Sequence, residues 1–397
     1  MTLSRLWPNF DRTVEIREVP MHASLESLMQ EGRAAVLRPL AQASTLPPAF
    51  YTSPEVFETE TERVFARNWV SVGRASEIPN AGDRFRIDVA GEPLLIVRGK
   101  DGEVRALSAV CRHRWMLLGT GAESSGTISC PYHKWTYALD GSLMAAPLMD
   151  KAEGFEHENC ALPSFGCDVW NGFIFVNLSG DAVPLAQSLA PLAEEFAPWK
   201  MDEMEIAGQI EFDQPYNWKV LVDNFMEAYH HFAIHPETFE PNYPAAISRA
   251  EETNAPYAAL HMPHKDDGLS DTLFKPLDGI PESARRGFSV FNVYPSMLLA
   301  VLADSVVWYR MEIDGVDHFK LTVYLLAHPK SLDVPDVETL KTFLREGTFA
   351  VHMEDIAACD GVQKGLMGGA ARAGRLSHLE GAIHEHQKWL LGELGRG

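Results

Sequence analysis

Two short stretches of the chain each pair one cysteine with one histidine: Cys111-Arg-His113 and, after a gap of sixteen residues, Cys130-Pro-Tyr-His133. A two-iron two-sulfur cluster that holds one iron by two thiolates and the other by two imidazoles needs this inventory, and trading thiolates for neutral imidazoles raises its reduction potential. A tetrahedral zinc site also takes two of each. Zinc fingers, however, place both cysteines in one half and both histidines in the other. Here the halves are mixed, so the expected occupant is the cluster, each loop giving one ligand to each iron.

A second concentration lies in residues 217–236, NWKVLVDNFMEAYHHFAIHP, with three histidines within six residues. At 100° per residue Asn224, Glu227 and His230 share one side of a helix. Pro236 ends the segment, so His235 is expected past the helix, where the chain folds back. Two imidazoles held this way suit Fe(II) in a two-histidine, one-carboxylate set, whose open positions bind dioxygen and leave room for substrate. The competing reading, histidines that cap a helix and bond at the surface, fits a lone histidine better than three. Residues 351–366, VHMEDIAACDGVQKGL, supply the acid. On a helical wheel Val351, Ala358 and Val362 cluster, with Asp355 pointing among them and Glu354 at the margin. An ionised carboxylate on an apolar face is costly unless paired or metal-bound, so Asp355 is the expected ligand and Glu354 the reserve.

The elements that must position these groups are legible in outline. Residues 69–177 read as short strands between turns (DRFRIDVAG, PLLIVRGKDG, VWNGFIFVNL), several alternating with period two, with Asp-Gly or Ala-Gly at hairpin positions. Before them a helix is expected over residues 24–40, and STLPPAFYTSP then breaks the pattern. After residue 177 come a helical stretch (LAQSLAPLAEEFAPW), a strand (MEIAGQIEF), further strands (SVFNVYP, MLLAVLA, VVWYRMEI, HFKLTVYLLAH) and a helical stretch from 337 to 391. The expected class is α+β: a helical extension (1–46), an all-β iron-sulfur domain (47–178) and a catalytic domain of antiparallel sheet and helices (179–397).

CRHRW and CPYHKW resemble the Rieske domain of ring-hydroxylating and related non-haem iron oxygenases, whose pattern is C-x-H-R-G followed by C-P-Y-H-x-W. Trp115 stands where that family commonly has glycine. The acid eight residues before Gln363 also matches the family, in which such an acid on a late helix completes the iron site. The resemblance implies a Rieske cluster on Cys111, His113, Cys130 and His133, and a mononuclear Fe(II) on His230, His235 and Asp355. It also implies that Glu227 bridges His230 to His133 or His113 of a neighbouring subunit, in a head-to-tail homotrimer. Asn224 is expected to line the iron pocket, and His231 to pack or support rather than ligate. Electrons would come from NAD(P)H through a ferredoxin or flavin reductase, and dioxygen would serve to hydroxylate, or oxidatively demethylate, a small organic substrate. The reading leans to an aromatic compound. Its alternatives are a monooxygenase of a quaternary ammonium compound and a Rieske electron carrier without oxygen chemistry; a zinc-stabilised structural protein is a third possibility.

Composition narrows the partners. Lys plus Arg number 34 and Asp plus Glu 55, a net charge of −21, which repels nucleic-acid backbones. The longest apolar run, 297–303, is core-sized, so no membrane partner is expected. MTLSRLWPNFDRTVEIREV does not read as a secretion leader, so a cytoplasmic setting is expected. Five cysteines, an odd number, favour metal binding or inert thiols over disulfides, and Cys160, Cys167 and Cys359 are expected to be packed thiols. The aromatic stripe between Phe239 and Tyr309 reads first as core, while the resemblance implies that those strands line the substrate cavity; His261 and His264 are expected in a loop.

Overall fold

A computed structural model of the chain describes residues 24–119, 123–253, 255–266, 269–270 and 272–396. Residues 1–23 of the expected N-terminal extension lie outside that set. The first sheet has seven antiparallel strands, in the order Val70–Arg74, Phe173–Asn177, Ser164–Trp170, Val104–Ser108, Glu92–Arg98, Asp83–Val89 and Glu123–Ser124. Its hairpins use the turn chemistry visible in the sequence. Ala90-Gly91 and Asn171-Gly172 each place two consecutive residues at positive φ, the conformation that matches a two-residue turn to strand twist. A small sheet of Ile128–Ser129, Thr136–Tyr137 and Leu143–Ala145 stands beside it.

The second sheet, also seven-stranded and antiparallel, runs Glu205–Gln214, His318–Ala327, Val306–Gly315, Met297–Val301, Gly287–Val293, Tyr257–Pro263 and Arg249–Ala250. Because side chains alternate across a strand, neighbours part to opposite faces. Phe291, Leu299, Trp308 and Tyr324 pack against Leu192, Phe196 and Trp199. Leu260, Val290, Val307, Tyr309 and Leu325 join the main core, which also takes Val72 and Ile87 of the first sheet, Val222 and Leu391. The metal-site helix therefore lies on this second face.

Three expectations need correction. The segment 217–236 is not one helix: it forms Trp218–Phe225 and, after a turn, the short His231–Ile234. The Glu227 carboxylate accepts the His230 backbone N–H at 3.0 Å, and a side chain that satisfies the backbone this way competes with helix continuation. The C-terminal stretch is likewise two helices, Val337–Leu366 and Gly381–Leu394. Gly368 and Gly369 weaken helix propensity at the break, and the link is pinned elsewhere, with Thr45 N–H donating to Gly374 O at 2.8 Å and Arg375 to Ala41 O at 2.6 Å. Finally, His261 lies on the strand Tyr257–Pro263 rather than in a loop.

Candidate metal centres

The two Cys-His loops are the same turn used twice. Cys111 N–H donates to Met116 O (2.9 Å) and Trp115 N–H to Cys111 O (3.0 Å). In the second loop Cys130 N–H donates to Trp135 O (2.8 Å) and Lys134 N–H to Cys130 O (3.1 Å). The residue before closure is left-handed in both, with φ 54° at Trp115 and 61° at Lys134. That conformation costs a side-chain-bearing residue roughly 1–2 kcal/mol, which is why glycine suits the position.

Inside the loops the thiols of Cys111 and Cys130 are buried and unpaired by disulfide. The His113 and His133 rings stand at the half-buried rim, edge to face at 4.5 Å, and His113 lies flat on Trp135 at 4.8 Å. Tyr137 sits beneath: its hydroxyl is 3.3 Å from Cys111 Sγ and accepts Arg112 N–H at 3.1 Å. Burial and the neighbouring His133 and Arg114 lower the His113 pKa, keeping it a neutral imidazole. Its Nδ1 is buried without any hydrogen-bond partner, an orphan that a metal bond would satisfy. Two enclosed thiols and two imidazoles, one with an orphaned nitrogen, fit the donor set of a two-iron two-sulfur cluster.

The second site converges on Asp355. Its Oδ1 lies 3.0 Å from His235 Nε2 and 3.5 Å from His230 Nε2, and accepts from Asn224 Nδ2 at 3.1 Å. Among the described residues, His230, His235 and Asp355 form the one group of three whose ligand atoms all lie within 4.8 Å of one another. The far sides of both imidazoles are held alike. His230 Nδ1–H donates to Glu227 Oε1 at 2.5 Å, and His235 Nδ1–H to Glu354 Oε2 at 2.6 Å, where Thr238 also donates at 2.9 Å. A carboxylate on Nδ1 fixes the tautomer, leaves Nε2 as the ligand atom and raises its basicity. Burial pulls the His230 pKa down, but the bonds to Asp355 and Glu227 outweigh it and raise it to about 9. Asp355, penalised by burial, is nonetheless held down to about 2 by the two histidines. A divalent cation would take the place of those protons, so the set fits a mononuclear metal.

Three helices fix this geometry. Lys219 on Trp218–Phe225 is buried against Glu60 at 2.7 and 2.9 Å, and Trp218 Nε1 donates to the same carboxylate at 3.0 Å. Asn217 caps that helix, and its N–H donates to Gln363 Oε1 at 3.0 Å. Gln363 thereby registers the acid helix on Trp218–Phe225, the helix that carries Asn224. The inward face of the acid helix is not the one drawn by Val351, Ala358 and Val362, since Val362 is exposed. It is polar, carrying His352, Cys359 and Gln363, and Asp355 falls among them. A metal site and a buried cap recruit polar residues to the inside, so apolar periodicity points to the wrong stripe. Glu354 is a support for His235 rather than a rival ligand by position.

Asn224, Glu227, His230, His235 and Asp355 line a cavity of about 80 Å³ walled by Phe225, Phe239, Phe288 and Tyr309. Met262 and Phe288 also border a cavity of about 610 Å³ that reaches Arg249 and Arg286. Trp308 and Phe291 face the opposite side of the sheet and take no part. His231 is buried, with Nδ1–H donating to Tyr243 O at 3.1 Å.

Family models match both regions: the one described as Rieske [2Fe-2S] domain over residues 68–165, and the one described as ring hydroxylating alpha subunit, catalytic domain, over residues 201–394. The chain belongs to the Rieske non-haem iron oxygenases. Within that family it is 39% identical over 198 residues to the carnitine monooxygenase oxygenase subunit of Acinetobacter baumannii, covering 49% of this chain and 53% of that one. The match thus spans about half the length of that relative. It is also similar to a solved quaternary ammonium Rieske monooxygenase, described as revealing carnitine oxidation by gut microbiota and inter-subunit electron transfer. There the TM-score is 0.77 and identity 27%, covering 88% of this chain and 95% of that chain. Naphthalene 1,2-dioxygenase from Rhodococcus sp. shares the fold at 21% identity and TM-score 0.75, covering 94% and 99%.

Family membership implies both cofactors, a Rieske cluster and a mononuclear iron, and the donor sets found here fit them. No helix among the described residues is long and apolar enough to cross a membrane. Sequence reading missed the Glu354 support of His235, the Gln363 acceptor for Asn217 N–H and the buried Glu60–Lys219 pair. Only Gln363 left a signal, its distance from the acid.

Proposed function

We propose that the chain is the oxygenase component of a Rieske monooxygenase acting on a carbon next to a quaternary ammonium nitrogen, replacing the aromatic reading. The observation that carries this is its identity with the carnitine monooxygenase oxygenase subunit. The cavity supports it. Phe225, Phe239, Phe288 and Tyr309 wall the site, and aromatic ring faces attract an alkylammonium cation.

His230, His235 and Asp355 would hold the iron, and Cys111, His113, Cys130 and His133 the cluster. When bound, these groups supply dioxygen activation and single-electron storage. Glu227 and Glu354 keep a proton on each Nδ1, so both Nε2 atoms face the metal position. Asn224 orients the Asp355 carboxylate, and the aromatic walls exclude water and hold the alkylammonium head. A ferredoxin or flavin reductase would deliver electrons from NAD(P)H.

Assembly follows from the loop tips. Trp115 is 81% exposed, and Met116, Leu117 and Tyr132 are exposed beside it, an apolar rim that a second copy would cover. In a head-to-tail homotrimer this rim would meet the Glu227 side of the next subunit, and Glu227 would span His230 and a cluster histidine. The test is oxygen uptake and product analysis with partner reductase over carnitine, γ-butyrobetaine, glycine betaine, choline and a set of aromatic acids. Turnover confined to aromatic acids would reverse the substrate reading.

A further inference from the structure

A second cavity shares residues with the metal pocket. Asn224, Glu227 and His230 line both. From them the second, of about 340 Å³, runs among the helices Trp218–Phe225, Val337–Leu366 and Gly381–Leu394 to the exposed side chains of Val362 and Arg372. Its walls are chiefly apolar, with Leu366 and Ile383 beside Val362. The acid in the wall, Asp223, accepts the Tyr51 hydroxyl at 2.5 Å, and Gln387 Nε2 donates to both. Arg372 is steadied by its own link, donating to Ala371 O at 2.6 Å. The volume lies at the lower end of the range that encloses small organic groups, about 300–1,000 Å³.

The cluster domain carries a side chain of matching character. The Trp115 indole is 81% exposed and sits at φ 54°, a backbone conformation that glycine adopts freely and a bulky residue does not. For an isolated chain the strained backbone and the exposed ring are both unfavourable. Strain kept at one residue points to what its side chain does.

Resting on the head-to-tail assembly proposed for this oxygenase, we propose that Trp115 of a second copy of this chain seats in the 340 Å³ cavity and sets the register between cluster loop and iron site. The ring lies between the apolar walls with the Arg372 guanidinium against its face, which combines aromatic burial with cation–π attraction. His113 is two residues from Trp115, within about 7 Å along the chain, while Glu227 and His230 line the cavity itself. A seated indole therefore holds a cluster histidine of one copy beside Glu227 of the next. Met116 and Leu117, exposed on one side of the contact, meet the exposed Val362 and Met367 on the other. Because the knob and the cavity are different surfaces of the chain, each copy offers one to either neighbour and the ring closes.

The test replaces Trp115 in the intact, metal-loaded protein by p-benzoylphenylalanine, an aromatic photo-crosslinker, and maps the products by mass spectrometry. Cross-links should join two chains, within residues 358–366 or at Arg372 or Ile383. Trp115→Gly removes the ring and relaxes the backbone, so the fold is not at stake. It should keep the cluster resonance and the iron, yet raise the dissociation constant of the assembly at least about thirtyfold, the usual weight of a tryptophan at the centre of an interface. Arg372→Glu should weaken assembly too, and Trp115→Lys combined with Arg372→Glu should recover part of the loss, a rescue that requires the two positions to meet. These readouts do not involve substrate: cross-links in the cavity without turnover of any panel compound would uphold the docking and remove the substrate reading alone. Absence of inter-chain cross-links, cross-links to another surface, or assembly of Trp115→Gly as tight as the wild type would overturn the docking.

Discussion

Replacing Glu354 and Asp355 one at a time measures how this chain divides labour between adjacent acids. Asp355 Oδ1 sits 3.0 Å from His235 Nε2 and 3.5 Å from His230 Nε2, so Asp355→Ala would remove a third of the proposed donor set together with the charge that balances both imidazoles. Iron should not survive desalting. Glu354 reaches the site only through His235 Nδ1, at 2.6 Å. Loss of such a support typically costs 10–100-fold in metal affinity, equivalent to about 1.4–2.7 kcal/mol. The backbone bonds from His235 N–H to His231 O at 2.9 Å and from Phe239 N–H to His235 O at 3.2 Å still hold the turn, so Glu354→Ala should fall in that range and Glu354→Gln near its lower end. The assay is iron content after graded chelator competition, with the electron paramagnetic resonance signal of the cluster as internal reference, since the cluster uses other residues. If Glu354→Ala strips iron as completely as Asp355→Ala, the roles are reversed. If it leaves affinity unchanged, the Nδ1 contact is without consequence.

Four further outcomes follow from the same geometry. Cys111→Ala or His133→Ala should abolish the reduced-cluster resonance while mononuclear iron is retained. Glu227→Gln should keep both metals and the oligomer, yet slow single-turnover cluster reoxidation by orders of magnitude; reoxidation at the wild-type rate would make Glu227 a support for His230 alone. Phe288→Ala should join the 80 and 610 Å³ cavities and shift kcat/KM toward longer ammonium substrates by roughly 10–200-fold, the usual leverage of an apolar wall. Metal affinity of the apoprotein should rise with pH up to about 9, because His230 is protonated below that value and must lose the proton to ligate; calorimetry in buffers of different ionisation enthalpy counts the protons released.

What the sequence made legible was local. The Cys-His loops, the strands around them and the Ala90-Gly91 hairpin are each written within a few residues, and the structure places them as read. His235 falls past its helix because Pro236 follows it. Features that depend on distant partners were hidden. The break after Phe225 is set by the Glu227 side chain rather than by a helix breaker. The inward stripe of the acid helix is polar because Gln363 answers Asn217 and His352 pairs with Gln214 at 2.9 Å, and hydrophobic periodicity carries no record of such pairings. The Tyr51–Asp223–Gln387 cluster joins three helices far apart in the chain, so no window on the sequence contains it.

The repeated turn around the cluster separates two demands on one domain. In both loops the cysteine and histidine are set by backbone bonds that any residue can make, and the left-handed position needs only to tolerate its φ. Trp115 and Lys134 therefore occupy matched outward sites that the metal does not constrain. One jaw of this clamp offers an aromatic plane and the other a positive charge. A substitution at either position changes the shape and charge that the rim presents while leaving every cysteine and histidine of the two loops in place.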